Sequence, residues 1–108
     1  MLSAIYVVLA TGAHLVLVAE RMPQVNFEAA CHAAAGASWR SEDECSQDEK
    51  TAKTRLEQEW GSFDADQKGH CMRLQQVGGM PSYVELLTCL EMGKALKELN
   101  QRGRANPG

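Results

Sequence analysis

Apolar residues fall along this chain in two regimes. From Leu2 to Ala19 they run almost without interruption and no charged residue breaks the run. From Asn26 onward they recur three and four residues apart among polar ones, which is the period of helices with one buried stripe. Asn26 is placed to cap a first helix over Phe27 to Ala35, an alanine-rich stretch that Gly36 stops. Three further helix starts share one signature: Ser41-x-x-Glu44, Asp64-x-x-Gln67 and Ser82-x-x-Glu85 each set a capping oxygen three residues ahead of a side chain that reaches back to the cap.

The second helix is predicted from about Glu42 to Trp60, with Cys45, Ala52, Leu56 and Trp60 on one stripe and Phe63 just beyond. The third runs from Ala65 to about Val77 and turns Cys71, Leu74 and Val77 or Gly78 inward; Gly78-Gly79 ends it and Pro81 cannot continue it. The fourth opens at Ser82 and presents Tyr83, Leu86, Leu87, Leu90 and Met92, after which the stripe thins to Leu96 and Leu99. Nothing reads as strand. The expected fold is all-α: a small disulfide-stapled bundle of about four helices, arranged as two helical hairpins, behind an N-terminal hydrophobic segment.

As a helix, Leu2 to Ala19 would be about 27 Å long, borderline for a bilayer core of about 30 Å. No Lys or Arg precedes it, and no clean small-x-small site follows, the best being after Ala13 with Thr11 at −3. Residues 1–19 are therefore expected to be a signal peptide or an uncleaved N-terminal membrane anchor. A buried core helix there would need more apolar cover than the thin stripes downstream supply. Arg21 favours keeping the rest in the cytoplasm, but four cysteines in a small domain behind an export-like segment favour an oxidising compartment. Residues 20–25, with Pro23, read as a linker, 26–100 as the four-cysteine domain, and 101–108 as a disordered tail.

Fewer than ninety residues follow the apolar run. Cores of that size commonly rely on a disulfide, a metal or a partner. The net charge of −3 excludes the basic footprint of a nucleic-acid binder. The charge is unevenly spread: Ser41 to Trp60 holds seven acidic residues against Lys50, Lys53 and Arg55, whereas Lys94, Lys97, Arg102 and Arg104 make the C-terminal part basic. Glu42, Asp43, Asp48 and Glu49 are the candidate interaction surface, for a basic partner or divalent cations; a solvated helix face accounts for the same residues.

The four cysteines allow three pairings. An antiparallel hairpin turning near Ser38 sets Cys31 and Cys45 seven residues to either side of the turn, and one turning about Met80 sets Cys71 and Cys89 nine to either side. The expected pairs are Cys31 with Cys45 and Cys71 with Cys89, each worth about 3 kcal/mol. The crossed pairings, which staple one hairpin to the other, stay open at this point. The sequences Cys31-His32 and His70-Cys71 raise a metal reading, but neighbours on a helix point about 100° apart and no C-x2-C spacing is present. Cys45 sits among acids and Cys89 in an apolar run, neither of which activates a thiol. No hydrolase, metalloprotease or phosphate-cradling motif occurs, so no catalytic residue and no cofactor is expected.

The cysteine pattern, Trp60-x-x-Phe63 and the run Gly78-Gly-Met-Pro-Ser-Tyr-Val-Glu-Leu-Leu-Thr-Cys-Leu-Glu-Met92 resemble a group of small uncharacterised bacterial exported proteins, from about Phe27 to Met92. The resemblance implies export and a helical four-cysteine body, and brings no activity with it. The spacings of thirteen and seventeen residues between cysteines do not match the twin C-x9-C hairpins. The expected function is a non-enzymatic cell-envelope domain, periplasmic or secreted, with a protein-interaction or structural role. Its expected partners are a protein of the envelope and, if residues 2–19 stay uncleaved, the inner membrane. The alternative is a thiol-redox or metal-binding protein using Cys31, His32, His70 and Cys71 with the other two cysteines.

Overall fold

A computed structural model describes residues 21–37, 40–78 and 80–105. Among the described residues four α-helices follow one another: α1 (Glu28–Gly36), α2 (Glu42–Glu59), α3 (Ala65–Val77) and α4 (Tyr83–Ala105), with a short 3-10 turn, Trp60–Ser62, after α2. Two disulfides staple them, Cys31–Cys45 between α1 and α2 and Cys71–Cys89 between α3 and α4. The all-α bundle of two stapled hairpins is thus the fold, and the uncrossed pairing is the one it contains.

The hairpins join through α2 and α4, the broadest contact in the domain. Glu49 meets the start of α4 at Tyr83, and Arg55 reaches Glu91 at 2.6 Å, so the two helices run in the same direction. Helix α3 returns antiparallel to α4, as the Cys71–Cys89 bridge and the Asp64–Lys97 ion pair at its other end require. Leu56, Leu86, Leu90, Cys71 and Tyr83 are fully enclosed, with Ala52, Trp60, Phe63 and Leu87 around them. Each buried leucine contributes about 1.5–3 kcal/mol. Lys68 is buried too, its stem covering the core and its Nζ 4.9 Å from the centre of the Trp60 ring.

Two of the three predicted capping boxes place their hydroxyl as expected. Ser41 Oγ accepts from the Glu44 N–H at 3.1 Å, and Ser82 Oγ accepts from the Glu85 N–H at 3.2 Å. Asp64 makes no side-chain cap, because its carboxylate pairs with Lys97 across the hairpin. Asn26 bonds to the Glu28 N–H at 3.1 Å, just ahead of α1.

The expected linker is docked from Met22 onward. Met22, Val25 and Phe27 pack against the core, and the Val25 N–H donates to the Tyr83 hydroxyl at 2.9 Å. The expected disordered tail is helical as far as Ala105.

Among the described residues no helix is long and apolar enough to cross a membrane. The two that reach the length, α2 and α4, carry charges along their whole course. The membrane anchor, the membrane as a partner and the inner-membrane location are corrected accordingly. The run 2–19 on which they were based lies outside the described residues.

Candidate functional site

Each expected site residue has a definite place in the fold. All four cysteines are consumed in the two disulfides, and none of the described cysteines is free. A disulfide sulfur offers no thiolate to a metal. The set Cys31, His32, His70 and Cys71 is divided between the two hairpins, and His32 is engaged with Glu42 at 2.8 Å. Among the described residues no three His, Cys, Asp or Glu side chains are grouped to hold a metal ion.

The four acidic residues of α2 do not form one surface. Glu42 pairs with His32, Asp48 pairs with Arg40, and Asp43 is exposed in the first turn, where a carboxylate favours the positive end of the helix dipole. Glu49 departs furthest from expectation: it is 3% exposed and points into the domain. Its carboxylate accepts from Ser82 Oγ at 2.6 Å, from the Tyr83 N–H at 2.7 Å and from the Val84 N–H at 3.4 Å. The Ser82 N–H donates to Gln75 Oε1 at 2.7 Å. With Ser82 Oγ on the Glu85 N–H, all four N–H groups that a helix leaves unpaired at its start have partners at α4. Glu49 is therefore a joint between the hairpins, and the acidic run serves folding along much of its length.

What the fold leaves open lies on the opposite side of α4. The core-facing positions of α4 run Tyr83, Leu86, Leu87 and Leu90, and one and two turns further on the same side are Lys94 and Lys97. These lysines close the core: Lys94 Nζ lies 5.8 Å from the Phe63 ring centre, and Lys97 pairs with Asp64. Met92, Leu96 and Leu99 lie on another face, and are 61%, 59% and 58% exposed. Leu74 of α3, which lines one groove with Met92 and Leu96, is half exposed, and Val77 at the end of α3 lies almost bare.

Leu74 and His70 of α3 face Thr88, Cys89, Met92 and Leu96 of α4 across a shallow groove of about 460 Å³, with Glu85 at one end. Its floor includes the Cys71–Cys89 staple, which fixes the spacing of the two helices. The groove offers no nucleophile–base pair; it offers a preformed, largely apolar trough with His70 and Glu85 in its lining.

The inward placement expected for Leu74, Val77 and Met92 is corrected here. The periodic stripe of α3 splits, Cys71 and Lys68 turning to the core, Leu74 to the groove and Val77 to solvent. The signal for this was in the sequence: after Leu90 the next core positions are lysines, so Met92, Leu96 and Leu99 have to point elsewhere. The chain matches no family model, no curated protein and no solved structure.

Proposed function

We propose that this chain is a non-enzymatic, protein-binding helical domain of a compartment that keeps cysteines oxidised, and that the groove between α3 and α4 is its binding surface. The observation that carries the reading is the contiguous exposure of Leu74, Met92, Leu96 and Leu99 along two helices held rigid by a disulfide. Contiguous apolar patches of this kind mark interaction sites more often than isolated exposed leucines do. Support for the compartment comes from the two disulfides, which persist where the surroundings do not reduce them. A trough between two helices suits an amphipathic helix presenting residues at i, i+3, i+4 and i+7.

The test is a selection of amphipathic helical peptides on the full chain, followed by affinity measurement on the Leu74→Glu/Met92→Glu variant. Selected helices are expected to lose at least tenfold in affinity, because the two carboxylates would be desolvated against the apolar face of the peptide. Equal affinity for wild type and variant would remove the groove as the binding surface.

A further inference from the structure

We infer, building on the groove as the binding surface, that its partner is a second copy of the chain: the end of α4 from one copy lies antiparallel in the α3/α4 groove of the other. The Asp64–Lys97 pair marks where α3 begins alongside α4, so the eight residues Glu98 to Ala105 continue past it by about 12 Å. Every position from Lys94 to Arg104 is exposed. Two helical turns without apolar cover are marginal in water, and a partner helix supplies that cover.

The spacing on this end is that of a paired helix. Met92, Leu96, Leu99 and Gly103 follow one another at intervals of four, three and four, the repeat that keeps one seam facing a neighbouring helix. In an antiparallel pair about a two-fold axis between Lys97 and Glu98, Leu96 of each copy faces Leu99 of the other, and Met92 faces Gly103. Gly103 has open space where a Cβ would sit, so it receives the long methionine side chain without a clash. The projecting Leu99 and Gly103 then reach the part of the second copy where Met92 and Leu96 line the groove.

Charge selects this direction. At about 100° per residue, Glu91 and Arg102 fall on the same flank of the seam. In an antiparallel pair like flanks meet, and this register brings Arg102 within about two residues, roughly 3 Å along the axis, of Glu91 in the other copy, where it adds a second cation to a carboxylate that already holds Arg55 of its own chain. In a parallel pair unlike flanks meet, so Arg102 of one copy and Glu91 of the other would lie on opposite sides of the seam and could not pair. The antiparallel contact is isologous, uses both tails and both grooves, and closes at two copies.

Sedimentation velocity on the full chain from 1 to 500 µM tests the inference, with Leu99→Glu and Arg102→Glu as variants at exposed positions. A concentration-dependent dimer is expected, with its dissociation constant raised at least tenfold by Leu99→Glu and severalfold by Arg102→Glu, disulfides and helix content unchanged. A photocrosslinking residue at Leu96, in a mixture of light and heavy nitrogen chains, is expected to join one isotope's Leu96 to residues 98–104 of the other. A chain monomeric at 500 µM, or one whose association is untouched by Leu99→Glu, overturns the inference. If helical peptides selected on the groove still bind in that case, the groove keeps its function with a different partner; if they do not bind there, both readings fall.

Discussion

Replacing Glu49 by alanine removes a side chain that ties the two hairpins together through hydrogen bonds to a helix end. The carboxylate holds two short contacts, Ser82 Oγ at 2.6 Å and the Tyr83 N–H at 2.7 Å, and a longer one to the Val84 N–H at 3.4 Å. Hydrogen bonds to a charged group contribute about 1.5–3 kcal/mol each, and the donors left behind would be enclosed where water does not reach easily. Counting the two short bonds, and allowing the Ser82 hydroxyl to turn to another acceptor, the loss is about 3–4 kcal/mol. That falls within the range for breaking a buried charged contact by removing one partner.

For a domain of this size it is a large share of a total stability of about 5–10 kcal/mol. Glu49→Gln keeps the shape and one accepting oxygen, and is expected to cost about 1–2 kcal/mol. Glu57→Ala, at an exposed position on the same helix, is expected to stay within about 0.5 kcal/mol of wild type. Urea unfolding with disulfides intact measures all three, and the alanine variant should move its midpoint down by about 3–4 M at a slope near 1 kcal/mol/M. If Glu49→Ala unfolds within about 1 kcal/mol of Glu57→Ala, the joint is not where the geometry puts it.

Two further predictions test the packing. A Cβ at Gly93 would lie 1.8 Å from Gln67 Nε2 and 2.8 Å from its Cγ. Gly93→Ala is therefore expected to destabilise by about 1 kcal/mol although alanine is the better helix former, and to become stabilising by about 0.5–1 kcal/mol in a Gln67→Ala background; equilibrium unfolding of the double-mutant cycle reads both signs. The two disulfides should differ in reach although each closes a loop worth about 3 kcal/mol. Cys71 is fully buried in the core, so Cys71→Ala/Cys89→Ala should lower protection against hydrogen exchange across α2, α3 and α4. Cys31→Ala/Cys45→Ala should release α1 and leave the amides of 84–92 protected.

Much of the fold could be read from the residues. The helix starts at Ser41 and Ser82 follow from a hydroxyl and a glutamate three residues apart, and the disulfide pairing follows from equal distances to either side of two turns. What could not be read this way depends on how the hairpins meet. Glu49 belongs by composition to a solvated acidic face, and only the parallel packing of α2 and α4 sets it over a helix start with unpaired N–H groups. Asp64 has the right spacing for a cap, and a lysine 33 residues away takes its carboxylate. Periodicity counts apolar residues without saying which of two faces they occupy, so Leu74, Val77 and Met92 look like core until the lysines at 94 and 97 fix the core side of α4.

The central claim is that the acidic run of α2 serves folding and that binding lies on the α3/α4 groove. A hydrogen-exchange footprint of the full chain with a groove-selected helical peptide tests it most directly. Added protection is expected in 70–77 and 88–99, with no change in 41–48. Added protection confined to 41–48 would contradict it and return binding to the acidic face.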